Sequence, residues 1–258
     1  MLLVSFRLAA DGLDDSYGQM YNLQFEQAHR TLADWQERYP ADPLGPVSDA
    51  AAYLYSEFER LNILQSEFFS NDARFTGSGR KSADPAVKRS FDQVLEKGRG
   101  LTDGILARDP LNPGALFAAV LEHGLRADYA ALVEKRFVAA LSETKQGRLY
   151  AERLLAVKPD YYDAYLAIGV ENYLLSLKAA PVRWFLRLAG AQTDRQMGLE
   201  KLRLTAEKGR FLLPFAKMLL AVAALRDKDR PRAREQLDWL VIAFPLNRLY
   251  KEELAKLR

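Results

Sequence analysis

The sequence predicts an all-α protein, an irregular solenoid of antiparallel helix pairs, and three observations predict it. Apolar residues recur at helical spacing almost throughout, as in Phe25, Ala28, Leu32 and Trp35, or Leu237, Leu240, Val241 and Phe244. Alternating strand patterns are absent, and no Asn-Gly or Asp-Gly hairpin turn occurs. Helix punctuation is frequent: Asp42-Pro43, Asp84-Pro85, Asp109-Pro110, Lys158-Pro159 and Phe244-Pro245 each bias the residue before proline out of the helical region.

In order, the pattern predicts helices over about 14–22, 24–38, 46–69, 84–107, 113–126, 129–157, 161–176, 181–189, 194–208, 211–227, 231–243 and 247–257. One long stretch, 70–83, carries no periodicity and holds Gly77, Gly79, Arg80 and Lys81. A stretch of that composition predicts a mobile surface loop. It superficially resembles a phosphate-binding loop, which needs Gly, four residues, then Gly-Lys-Ser/Thr after a strand. Here Arg80 separates Gly79 from Lys81 and a helix precedes, so no nucleotide site is expected. A second break, about 178–192, interrupts the pattern with a short apolar and basic segment.

Composition bounds the function. The 258 residues are 49% apolar and 28% charged, which suits one globular domain over 1–258. There is no cysteine, so disulfides, thiolate metal sites and cysteine nucleophiles are excluded. Two imidazoles, His29 and His123, are too few for a histidine metal cage; no metal, cofactor or catalytic residue is expected, and the chain reads as a non-enzyme. His29 reads as an exposed helix-surface residue, and His123 lacks the neighbours of a catalytic triad. No apolar run approaches the roughly 18–20 residues of a membrane span. Leu2-Leu3-Val4 is too short for a signal segment, so the chain as read is cytoplasmic, or periplasmic if a leader is missing from it. The net charge of +3 divides unevenly: residues 1–170 hold 19 basic against 24 acidic residues, and residues 171–258 hold 18 against 10. The basic residues scatter, which reads as a solvated face, and no nucleic-acid partner is expected.

An internal repeat underlies the helices. Twelve residues before Pro40, Pro110, Pro159 and Pro245 stand the small residues Ala28, Gly98, Gly147 and Ala233, and five before stand Trp35, Ile105, Leu154 and Leu240. The small residue admits a neighbouring helix, the apolar one packs the helix end, and proline stops it. The stretch Leu106-Ala-Arg-Asp-Pro-Leu-Asn-Pro-Gly-Ala115 parallels Leu155-Ala-Val-Lys-Pro-Asp-Tyr-Tyr-Asp-Ala164. Gly209 reads as a degenerate further stop between Pro159 and Pro245. A bulky residue at Gly98 or Gly147 should force helices apart.

On these residues the chain resembles the tetratricopeptide-repeat (TPR) superfamily, whose second helix carries a small residue and a closing proline twelve later. It looks more specifically like an uncharacterised group of bacterial TPR proteins, through Met20-Tyr-Asn-Leu-Gln-Phe-Glu-Gln-Ala28, Gly104-Ile-Leu-Ala-Arg-Asp-Pro110, Ala180-Pro-Val-Arg-Trp184, Pro214-Phe-Ala216 and Arg226-Asp-Lys-Asp-Arg-Pro-Arg-Ala233. The resemblance implies a TPR-like α-solenoid that binds a protein or peptide partner in a concave groove, and it implies no reaction.

Candidate binding residues lie around the helix after Pro159. Glu171, Asn172 and Tyr173 interrupt an otherwise apolar helix whose Tyr162, Tyr165, Ile168, Tyr173 and Leu177 can face inward, and Tyr165, Glu171, Asn172 and Tyr173 are expected to be partly exposed. The alternative is that Glu171 pairs with an arginine. Arg183 and Arg187, four residues apart with Trp184, Phe185 and Leu188 to another side, add positive charge at the groove edge. The same 181–189 helix reads either as a buried cap or as a membrane-surface contact. A small-molecule binder or enzyme centred on Glu171 is a further alternative.

Overall fold

The computed structural model describes residues 3–63, 82–178, 182, 184, 186, 188 and 190–257, with side chains from residue 12 onward. Among these residues there are eleven α-helices and no strand: α1 (Leu3–Tyr21), α2 (Phe25–Arg38), α3 (Leu44–Arg60), α4 (Pro85–Leu106), α5 (Pro113–Asp128), α6 (Phe137–Val157), α7 (Tyr165–Ser176), α8 (Arg195–Lys208), α9 (Leu213–Arg226), α10 (Arg230–Ala243) and α11 (Arg248–Ala255). Consecutive helices pack as pairs, α1 with α2, α3 with α4, α5 with α6, α7 with α8 and α9 with α10, and α11 closes the series on α10. No helix among the described residues is long and apolar enough to cross a membrane.

Helix starts follow from capping chemistry. Asp84, Asn112, Asp194, Asp229 and Asn247 each accept a first-turn backbone N–H at the start of α4, α5, α8, α10 and α11, at 2.8–3.2 Å. Proline in the first turn of α4, α5 and α10 has no N–H to leave unsatisfied.

The proline stops are one device used repeatedly. Tyr39, Asp109, Lys158 and Phe244, each just before its proline, donate N–H to the carbonyls of Trp35, Ile105, Leu154 and Leu240 at 2.8–2.9 Å. Those acceptors are the apolar residues of the sequence repeat. Gly209 makes the same bond to Thr205 at 2.8 Å, and Gly198 then stands where Ala28, Gly98, Gly147 and Ala233 stand, all of them buried. Proline is absent there, yet the helix ends in the same register.

Other ends use a left-handed residue. Leu23, Asn62 and Lys228 have φ of 62°, 56° and 60°, and the next residue reaches back to the carbonyls of Gln19, Phe58 and Ala224 at 2.8–2.9 Å. Four boundaries depart from the periodicity, one of them the start of α7, which comes at Tyr165 after a 3₁₀ turn at Tyr162–Ala164 and not at 161. The helix expected over 46–69 ends at Arg60 because Asn62 turns it. The helix expected over 129–157 is two elements, since α5 widens into a π-turn at Tyr129–Val133 and Lys135, at φ 60°, breaks it before α6. α1 begins at Leu3, eleven residues before the expected start.

The core runs along the chain in three linked clusters. The largest joins α1 to α7 and the Phe211–Leu212 connection; the second centres on Tyr173, Leu199, Leu202 and Leu219, and the third on Leu237, Leu240 and Tyr250. The first and last helices also meet. Tyr21 Oη donates to the Phe211 carbonyl at 2.9 Å, Asn247 Nδ2 to the Tyr21 carbonyl at 2.8 Å, and Leu246 N–H to Asn22 Oδ1 at 3.0 Å. Arg210 pairs with Asp14 and Arg248 with Glu59. Among the described residues, aromatic side chains of α1, α3 and α5 pack against Phe211, Phe215 and Phe244 of the C-terminal part of the chain.

Candidate functional site

The expected site residues fall into three groups. Glu171, Asn172 and Tyr173 are each only 1% exposed, which corrects the expectation of a partly exposed surface. Glu171 accepts Arg148 Nε at 2.8 Å and the Gln192 N–H at 2.9 Å. Arg148 also donates to Glu152 at 2.7 Å and to the Gly190 carbonyl at 3.2 Å. Asn172 Nδ2 donates to Gln192 Oε1 at 2.8 Å, and its Oδ1 accepts the Asp194 N–H at 2.9 Å. The network thus docks residues 190–194 onto α6 and α7 and delivers Asp194 to cap α8. Burial raises the Glu171 carboxyl, while the Gln192 N–H and Arg148 pull it back.

Tyr165 is half-buried, donates to the Pro159 carbonyl at 3.1 Å and lies under the Lys201 ammonium, 5.4 Å from the ring centroid. Of the other inward expectations, Ile168 and Tyr173 are buried, Tyr162 is half-buried and Leu177 points outward. Arg183 and Arg187 lie outside the described residues, as does the loop segment up to Lys81. Val182, Trp184 and Leu188 are 47%, 58% and 68% exposed, so the expected burial of this segment as a cap does not hold at these positions.

Both histidines bridge elements. His29 on α2 is half-buried against Asp49 of α3, its ring tilted 4.1 Å from that of Tyr53, which corrects its reading as an exposed helix-surface residue. His123 on α5 meets Glu143 of α6 at 2.7 Å.

A further group of side chains lies on α3, α5 and α9. Along α5 one stripe reads Phe117, Leu121, Gly124 and Asp128. Phe117 lies tilted against Tyr161 at 4.8 Å and stacks on Phe211 at 6.1 Å, which turns its end of the stripe toward those rings. Gly124 is exposed, and a methyl group there would touch nothing within 4 Å. Asp128, one turn on, is walled in by protein yet keeps access to water, and burial alone pushes its carboxyl up to about 7. Its charge in turn raises the Tyr55 phenol of α3, after the larger effect of burial. Tyr55 stacks on Phe215 of α9 at 6.3 Å and lies 6.2 Å from Phe58. Behind it, Tyr17 and Tyr21 of α1 and Tyr250 of α11 have phenols raised chiefly by burial.

The sequence reading did not single out these residues. A signal was present: Gly124 and Asp128 fall on the stripe of an otherwise apolar helix, where a core-facing position would carry a large apolar residue. No family model, curated protein or solved structure matches this chain.

Proposed function

We propose that the chain is a non-catalytic protein-interaction scaffold, a TPR-like solenoid that takes a partner segment on its concave side. The observations that support this reading are the Tyr55–Phe215 stack between α3 and α9 and, on α5, the exposed Gly124 with the partly exposed Asp128 one turn on. Stacked helix pairs with a small residue at each close approach and one repeated stop are the architecture such scaffolds use. The binding residues move accordingly, from Glu171, Asn172 and Tyr173 to the inner face of α3, α5 and α9. Glu171 as the centre of a catalytic or small-molecule site has no comparable support, since Arg148 and Gln192 occupy both carboxylate oxygens.

The test is capture of partners by the tagged chain from its native host, wild type against Tyr55→Leu. A defined protein lost from the Tyr55→Leu eluate, with an unchanged melt, supports the inner face. An identical set of captured proteins would sink it.

A second reading rests on a specific observation. The exposure of Val182, Trp184 and Leu188 favours a membrane-surface contact of the 181–189 segment, with Arg183 and Arg187 meeting anionic lipid. Co-sedimentation with anionic vesicles that is lost in Trp184→Ala supports it, and equal sedimentation of both proteins refutes it.

A further inference from the structure

Exposed apolar side chains are not spread evenly over this chain. Among the described residues fourteen large ones stand well out of the fold, and six of them fall within one short stretch. These are Leu174 and Leu177 at the end of α7, Val182, Trp184 and Leu188 in the connection after it, and Met197 at the start of α8. Protein surfaces scatter such residues singly, and a concentration of them marks a contact.

The fold brings the three segments to one end of the α7–α8 pair. Gly198 seats α8 so close to α7 that a Cβ would lie 2.5 Å from the Tyr173 nitrogen. Leu174 and Met197, each one residue along, therefore stand beside the same contact. Leu177 follows Leu174 by three residues, on the same side of α7. The connection leaves directly after Leu177, and Asn172 receives it again. Asn172 Nδ2 donates to Gln192 Oε1 at 2.8 Å, and its Oδ1 accepts the Asp194 N–H at 2.9 Å.

Charge selects what meets this edge. From Lys178 to Gly190 the sequence holds three cations, Lys178, Arg183 and Arg187, and no Asp or Glu. The next acids are both engaged, Asp194 on the Met197 N–H at 3.0 Å and Glu200 beside Lys201 at 3.1 Å. A second copy of the chain is a poor occupant, because a twofold contact sets each patch on itself and would oppose these cations. A fluid anionic surface fits. It asks for apolar side chains and positive charge in one place, with no groove and no shape match.

We propose that this end of the α7–α8 pair is a lipid-binding edge, with Leu174 and Leu177 of α7 and Met197 of α8 entering the headgroup boundary of an anionic bilayer beside Trp184. The assignment rests on the membrane-contact reading of residues 181–189 and extends it from the connection onto the packed helices.

The sequence has no cysteine, so a single introduced one reports its own position. The full chain carrying Leu174→Cys, Met197→Cys or Ile242→Cys is labelled with a polarity-sensitive fluorophore; Ile242, exposed on α10, is the control for contact elsewhere. The probe is vesicles of phosphatidylcholine and phosphatidylserine in equal parts, against phosphatidylcholine alone. Labels at 174 and 197 should brighten and shift to the blue on the anionic vesicles, and the label at 242 should not. The unlabelled chain should bind anionic vesicles at least roughly tenfold more tightly than neutral ones, less so at high salt. If the unlabelled chain sediments with anionic vesicles while both labels stay in water, the edge is wrong and the 181–189 contact stands. If it does not sediment, both readings fail. An equal shift at 242, equal binding to neutral vesicles, or a concentration-dependent shift at 174 without vesicles (a second copy instead) would each overturn the lipid assignment.

Discussion

Replacing Gly198 by alanine tests how closely α7 and α8 are packed. A Cβ at this position would lie 2.5 Å from the Tyr173 nitrogen, 2.9 Å from its Cα and 3.0 Å from its Cβ. The first two are backbone atoms, so no side-chain rotation relieves the clash and α7 itself must retreat by most of an ångström. That retreat also loosens Gly169 against Leu202, where a Cβ would already stand at 3.0 Å. Overpacking of this kind costs about 1–3 kcal/mol. Alanine's better helix propensity returns about 1 kcal/mol. The expected net loss is about 1 kcal/mol, roughly 2–4 °C in melting temperature for a chain of this size. The control is Gly100→Ala on α4, where a Cβ meets nothing within 4 Å; it should gain about 0.5–1 kcal/mol. Thermal melts by circular dichroism read both. If Gly198→Ala stabilises as Gly100→Ala does, the close approach of α7 and α8 is wrong.

Within the repeat, Gly98→Leu should lower the melt more than Gly147→Leu, because a Cβ at 98 meets Val47 Cγ2 at 2.5 Å and one at 147 meets His123 Cβ at 3.4 Å; differential scanning calorimetry ranks them. Arg148→Met leaves Glu171 buried and unpaired and should cost about 3–5 kcal/mol in urea unfolding, with Arg148→Met/Glu171→Leu recovering much of the loss. Asp128 binds its proton more tightly folded than unfolded, so its contribution to stability is lost as pH rises from about 4 to about 7. Asp128→Asn should therefore be the more stable protein at pH 8, by about 2 kcal/mol after allowing for its contact with water, and its urea midpoint should converge on wild type as pH falls.

Most of the helical architecture was legible in the sequence because its signals are local. A proline stop, an N-cap aspartate and a 3.6-residue stripe act within one or two turns, so α2, α4 and α10 fall within a residue or two of the expected bounds. The ends misplaced by a left-handed residue are those at Asn62 and Lys135, where nothing in the residue type demands the turn that packing imposes. Burial at the site was not legible for a different reason. Glu171 and Asn172 look like surface residues on a helix, and their partners come from Arg148 of α6 and from the return of residues 190–194, some twenty positions away on either side. Tyr55 and Asp128 come from helices far apart in sequence, and periodicity carries no information about which stripes face one another.

The meeting of the two chain ends changes how such a molecule comes apart. Stacked repeats that touch only their neighbours unravel from whichever terminus is weaker, one unit at a time. Here Tyr21 holds Phe211 and Asn247 holds Tyr21 across sequence separations of 190 and 226 residues, so neither terminal helix is a loose end. Fraying at one terminus must first undo the other, which couples the repeats into fewer, larger cooperative steps. Forming that clasp requires nearly the whole chain to be ordered beforehand, since contacts so distant in sequence carry a large closure entropy. The docking of the two termini is therefore expected late in folding. A tag, fusion or truncation at α11 then reaches α1 directly, and through it the aromatic wall behind Tyr55.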